Sequence, residues 1–206
     1  MIHTTLPNNS PANTAYFMPL SHKELPPVTN EWTLFLDRDG VINKEVVGDY
    51  IKNWSEFHFT EGTLEAIAAL SKLFDRIFIV TNQAGIGKGL MTLETLEEIH
   101  VNMLKEIIAA GGRIDKIYFC PSTDNKHINR KPNSGMALQA KQDFPEIDLK
   151  KSIMVGNMPN DMWFGRKFGA FTVYLPTRPE EKPDPSTVDA QYKDLLAFAN
   201  DLSSKA

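Results

Sequence analysis

Two carboxylates one residue apart, Asp37 and Asp39, close a short apolar run in this 206-residue chain, and Gly40 follows them. At a strand end such a pair repels itself unless a cation or a shared proton lies between the two groups. A hydrated Mg²⁺ suits them, because it prefers carboxylate oxygens and accepts few protein ligands. Gly40 frees the backbone to turn sharply at that point. Alone, the tetrad Asp37-Arg38-Asp39-Gly40 fits a solvated turn as well as a cation site. Other polar groups stand at comparable places: Thr81-Asn82-Gln83 after a second apolar run, Arg130-Lys131-Pro132 closing a polar loop, and Asn157 with Asp161 after a further run. Taken singly, Thr81 reads as a hydroxyl capping a turn and Lys131 as a solvated lysine. Arg130 serves a loop surface or a second anionic group equally well.

The elements that must position these residues are short apolar strands at 33–36, 76–80, 116–119, 152–155 and 171–175. Runs of this kind are those of strands buried on both faces. Between them lie amphipathic helical patterns: one after Gly62, one capped by Thr92 and stopped by Gly111 and Gly112, and others at 135–143 and about 160–168. A loop over 176–186 precedes a last helix expected near 190–202. Strands alternating with helices predict an α/β, three-layer Rossmann-like parallel sheet with helices on both faces. Ligands of such sheets bind beyond the carboxyl ends of the strands, where the polar groups converge. Residues 1–30, rich in Pro, Asn, Ser and Thr, read as an extended leader, which Phe17, Met18 and Leu20 could anchor; residues 31–206 read as the domain.

Four segments together carry a resemblance. Phe35-Leu36-Asp37-Arg38-Asp39-Gly40-Val41-Ile42-Asn43 resembles the first motif of the haloacid dehalogenase-like (HAD) phosphatases. Ile79 to Gln83 resembles the second, Arg130-Lys131-Pro132 the third, and Met154-Val155-Gly156-Asn157 with Asp161 the fourth. The opening motif, the nearby Tyr50 and the glycine-rich turn after Gln83 are similar to the heptose-bisphosphate and histidinol-phosphate phosphatase branch. That resemblance implies a HAD-type fold with minimal or no cap. It implies that Asp37 attacks phosphorus, Asp39 acts as acid and then base, and Thr81 and Lys131 hold the transferred group. Asn82, Gln83, Arg130 and Tyr50 would contact substrate. Asp37, Asp39 and Asn157 would hold Mg²⁺, with Asp161 behind them steering Lys131 or a bound water. The implied substrate is a small phosphate ester, a heptose 1,7-bisphosphate or else histidinol phosphate. A non-catalytic binder of phosphorylated metabolites on the same fold is the rival of another class.

The chain departs from the branch twice. Asn157 stands where an Asp is usual, so the site is expected to lose one formal charge and bind Mg²⁺ more weakly. In place of a four-ligand zinc loop there are Cys120-Pro121-Ser122 and His127-Ile128-Asn129, too few ligands for structural zinc. Gly85 to Gly89 lacks the spacing of a nucleotide-binding loop and reads as a turn, and His58 and His100 read as structural. A net charge of -4, from 22 basic and 26 acidic residues, argues against a nucleic-acid partner. The single cysteine and the lack of a long apolar run point to a cytoplasmic protein, expected to be a monomer away from membranes.

Overall fold

The structure, a computed structural model, describes residues 23–178 and 180–205. Among them six strands form one sheet: β1 (Thr33–Leu36), β2 (Arg76–Asn82), β3 (Lys116–Cys120), β4 (Ser152–Gly156), β5 (Phe171–Tyr174) and β6 (Ala190–Gln191). Their order is β3-β2-β1-β4-β5-β6, and every neighbouring pair is parallel. The chain therefore winds outward from β1 in both directions, and the crevice between β1 and β4 is the switch point where such sheets take ligands.

Side-chain alternation along β1 explains the two outer layers. Leu34 and Leu36 pack on one side with α1 (Thr63–Leu70), α3 (Leu93–Ala109) and α6 (Leu195–Ser203). Phe35 points the other way, against α4 (Gly135–Asp143) and α5 (Pro159–Phe168). The register sets Leu36 opposite Ile79 of β2 and Val155 of β4. The N–H of Asp37 continues that ladder, donating to the Val155 carbonyl at 2.9 Å. The first candidate residue is thus fixed by the sheet itself.

The last helix begins later than its periodicity suggests. Residues 190–191 form β6, and the helix starts only after Asp194, whose Oδ1 accepts from the N–H of Ala197 at 2.7 Å. Asp189 ties this stretch to β5 by accepting the Thr172 N–H at 3.0 Å, which keeps it extended. The glycine-rich turn after Gln83 contains one short helical turn, α2 (Ala84–Gly87). Residues 37–62, between β1 and α1, hold a single 3-10 turn (Trp54–Glu56), so no cap domain is inserted there. Of the expected leader, residues 1–22, with Phe17, Met18 and Leu20, lie outside the described residues. Leu25 and Val28 pack on the core. No helix among the described residues is long and apolar enough to cross a membrane.

Gly62 joins the first and last helices. Its φ is 73°, and a β-carbon there would lie 2.7 Å from Cδ2 of Leu196. Gly62→Ala is expected to destabilise the chain by about 1–2 kcal/mol through the left-handed backbone alone, plus the cost of moving Leu196. Urea unfolding of the two proteins, with unchanged dependence on denaturant, measures this.

Candidate active site

The carboxyl ends of β1, β2 and β4 and the loop after β3 meet around one buried ammonium. Lys131 Nζ lies 2.8 Å from Asp37 Oδ1 and 2.7 Å from Asp161 Oδ1. Asp161 occupies the first turn of α5, and its Oδ2 accepts the backbone N–H groups of Met158 at 3.0 Å and Asn157 at 3.2 Å. Asp37 Oδ1 also accepts the N–H of Arg38 at 2.7 Å. Both partners raise the pKa of Lys131 despite its burial, so it stays charged. Two carboxylates then compete for one cation. Burial, and next the charge of Asp161, push Asp37 up to about 7 against the pull of Lys131.

Asp39 experiences the opposite balance. Burial, the largest single influence, would lift it, but Arg38, Asn43 and Gln83 together outweigh burial and hold Asp39 below its ordinary value. One Arg38 nitrogen, Nη2, donates to both oxygens of Asp39, at 2.9 and 3.0 Å, while Asn43 Nδ2 and Gln83 Nε2 donate at 3.0 and 2.8 Å. The Asp39 side chain keeps 29% exposure, enough to face a ligand. Arg38 is 1% exposed, and its Nη1 meets His100 Nε2 at 3.2 Å. Burial, with the neighbouring Arg38 charge, pushes His100 down to about 3, so the ring is neutral and accepts that hydrogen bond. Gln83, expected at the substrate, is buried and absent from the cavity wall; its amide donates to Asp39 and Thr81 and accepts from Arg38.

Asn157 is 0% exposed. Its Nδ2 donates to Glu45 Oε1 at 3.0 Å and Thr177 Oγ1 at 2.8 Å, while its Oδ1 is buried without a hydrogen-bond partner. Glu45 Oε2 in turn lies 2.8 Å from Arg178 Nε. A buried carbonyl-type oxygen without a partner is the donor chemistry of a hard divalent cation, and with a carboxylate oxygen of Asp37 and the backbone carbonyl of Asp39 it makes an all-oxygen set that suits one. Among the described residues, no cluster of three or more His, Cys, Asp or Glu side chains is arranged to hold a metal, so the amide oxygen is needed to complete the set.

These groups open onto a cavity of about 390 Å³ lined by Asp37, Asp39, Tyr50, Thr81, Asn82, Arg130, Lys131 and Asp161, among others. Asn82 fixes the Lys131 backbone: Oδ1 accepts its N–H at 3.0 Å and Nδ2 donates to its carbonyl at 3.1 Å. Arg130 is braced by Asn125 Oδ1 at 3.1 Å and the Ser122 carbonyl at 3.0 Å. Cys120 Sγ and His127 Nδ1 do meet, at 3.5 Å, and the loop around them is held by Asn133 Nδ2, which donates to the carbonyls of Asn125 and His127. Among the wall residues that the sequence reading did not place at the site are Glu45, Lys88 and Arg178. Lys88 lies over the Tyr50 ring, 5.2 Å from its centroid. Its one sequence signal is a basic residue inside a glycine-rich turn after a strand.

A family model described as polynucleotide kinase 3 phosphatase matches residues 33–198, which includes every one of these residues. The chain belongs to this family of HAD-like phosphatases. A D-glycero-alpha-D-manno-heptose-1,7-bisphosphate 7-phosphatase of Campylobacter jejuni is 34% identical over 172 residues, 84% of this chain and 96% of the relative. One of the same name from Mycobacterium bovis is 37% identical over 134 residues, 65% of this chain and 70% of the relative. Among solved structures, D,D-heptose 1,7-bisphosphate phosphatase from B. bronchiseptica, complexed with magnesium and phosphate, superposes with a TM-score of 0.75 at 28% identity, covering 84% of this chain and 99% of that one. The chain therefore has the fold of these phosphatases and is a hydrolase of phosphate esters.

The crowding of negative charge has a thermodynamic signature. With its folded pKa raised above the unfolded value, Asp37 binds a proton more readily in the folded chain, so its contribution to stability falls as pH rises from about 4 to about 7. Asp37→Asn is therefore expected to stabilise the metal-free phosphatase at pH 8 by on the order of 1–3 kcal/mol, with the gain shrinking toward pH 5. Thermal melts across that range in the presence of a chelator measure it; a gain independent of pH contradicts the assignment.

Proposed function

We propose that this phosphatase removes one phosphate from a D-glycero-manno-heptose 1,7-bisphosphate through an aspartyl-phosphate on Asp37. The observation that carries the reading is the pairing of two cationic zones on one cavity. Lys131 sits against Asp37 where the transferred group must lie, and Arg130 and Lys88 line the same cavity and are available to a second anionic group. A braced guanidinium and an ammonium suit the remaining phosphate of a bisphosphate. The names of the relatives from Campylobacter jejuni and Mycobacterium bovis support the same substrate.

In the proposed reaction an Asp37 oxygen bonds to phosphorus as the ester P–O bond breaks, and Asp39 delivers a proton to the departing sugar oxygen. Water then attacks phosphorus, Asp39 takes its proton, and the Asp37–phosphorus bond breaks to release inorganic phosphate. Lys131 and the Thr81 hydroxyl steady the oxygens of the group in transit. A carboxylate oxygen of Asp37, the backbone carbonyl of Asp39 and the Asn157 amide oxygen would hold Mg²⁺, which would supply positive charge favouring ionised Asp37 beside an anionic substrate. Arg38, Asn43 and Gln83 aim Asp39, and Asp161 aims Lys131. The same reading has the phosphatase as a cytoplasmic monomer working on a free metabolite, in keeping with its net charge of -4 and single cysteine.

Phosphate release with Mg²⁺ tests this on both anomers of the heptose bisphosphate, on histidinol phosphate and on a 3′-phosphorylated oligonucleotide. The bisphosphate is expected to be preferred, with Asp37→Asn reducing kcat/KM at least about 1,000-fold. Arg130→Ala should chiefly raise KM for the bisphosphate, the behaviour of a group that binds ground state and transition state alike. Preference for the oligonucleotide, or turnover that persists in Asp37→Asn, overturns the proposal.

A further inference from the structure

Loss of a charge at position 157 should weaken the cation site, yet the structure places another carboxylate beside it. The carboxamide of Asn157 has two N–H bonds, and both are engaged, with Glu45 Oε1 at 3.0 Å and Thr177 Oγ1 at 2.8 Å. That leaves Oδ1 as the one polar atom of this buried side chain without a hydrogen-bond partner. The opposite orientation would bring Oδ1 against the Glu45 carboxylate oxygen, lone pair against lone pair. Glu45 thereby decides which end of the amide is bound by protein groups and which is left free to accept. Gly40 presses on the same group: a β-carbon there would lie 2.0 Å from Asn157 Nδ2 and 3.1 Å from Glu45 Oε1. Glu45 is itself anchored by Arg178, 2.8 Å away, and lines the cavity.

We propose that Glu45 and Asn157 form a charge-transposed pair, in which Glu45 carries the negative charge that position 157 lacks and turns the Asn157 carboxamide so that its oxygen serves the cation. Glu45 is a positioning residue, one hydrogen bond removed from the ligand it orients. The pair accounts for a site that has Asn at 157 and still presents an oxygen to a divalent cation. It also means that aspartate at 157 is no repair, since its carboxylate would stand 3.0 Å from that of Glu45. The inference rests on the reading of Asp37, Asp39 and Asn157 as a cation site, and it is independent of which phosphate ester is hydrolysed.

Binding of Mn²⁺ to the full chain, followed without substrate by the electron paramagnetic resonance of the free ion, tests it. Removal of a group that orients a metal ligand weakens affinity by about 10- to 100-fold, and Glu45→Gln should fall in that range. Asn157→Asp adds a formal charge but should bind Mn²⁺ no more than about threefold tighter than wild type. The double variant Glu45→Gln/Asn157→Asp restores the total charge with donor and acceptor exchanged, and should return to within about threefold of wild type. A Glu45→Gln chain less than tenfold weaker, an Asn157→Asp chain more than threefold tighter, or a double variant that stays weak overturns the pair. Melting curves show whether Glu45→Gln is folded; if it is not, the Asn157→Asp affinity alone decides. Because no ester is present, failure here is separate from failure to hydrolyse a heptose bisphosphate.

Discussion

One ammonium shared by two carboxylates organises this molecule. Lys131 stands within 2.8 Å of Asp37 and 2.7 Å of Asp161, buried from water. Buried charges are tolerable only when paired, and here three charges leave an excess of one negative. The excess falls on Asp37, because Asp161 also has two backbone N–H groups to satisfy it and the positive end of the α5 dipole beneath it. Against the roles proposed for them, both carboxylates are mistuned by the protein alone: Asp37 holds its proton too tightly for a nucleophile, and Asp39 holds its own too loosely for an acid. Both errors have the sign that ligands correct. A cation beside Asp37 favours its ionised form, and an anionic ester beside Asp39 favours its protonated form.

The sheet makes this arrangement possible with few residues. Asp37 is the first residue past β1 and stays on the ladder through its N–H to Val155. Thr81 and Asn82 end β2, and Asn157 follows β4 directly. Groups far apart in sequence reach one point because adjacent parallel strands end there together. Arg38 points under the site instead of into it, and with Gln83 and His100 forms a buried polar layer between the reactive residues and the apolar core.

Much of this was legible in the chain. The strands from Thr33, Arg76, Lys116, Ser152 and Phe171 are continuous apolar runs, a signal that survives without tertiary information. The stretch 190–191 was not legible, because two residues carry no period; only Asp189 and Asp194, bonded to β5 and to the N–H of Ala197, decide that it is strand and then helix. At the site, residues that follow strand ends could be found, since topology dictates where they go. Glu45, Lys88 and Arg178 could not, because they come from loops whose path depends on contacts that no spacing encodes. Gln83 was placed at the substrate by the resemblance of Thr81-Asn82-Gln83 to a family motif; in the structure its amide is engaged with Asp39, Thr81 and Arg38, a hydrogen-bonding role that no motif spells out.

The stretch between β1 and α1 carries only a 3-10 turn where other enzymes insert a mobile domain. With no domain inserted at this point, entry and departure of small molecules need no domain to swing aside. Selectivity then cannot come from closure around the right guest. It must reside in fixed walls, such as Arg130 tethered to Asn125 and the Ser122 carbonyl, and Lys88 resting on Tyr50. Discrimination is then built into the shape that is already there.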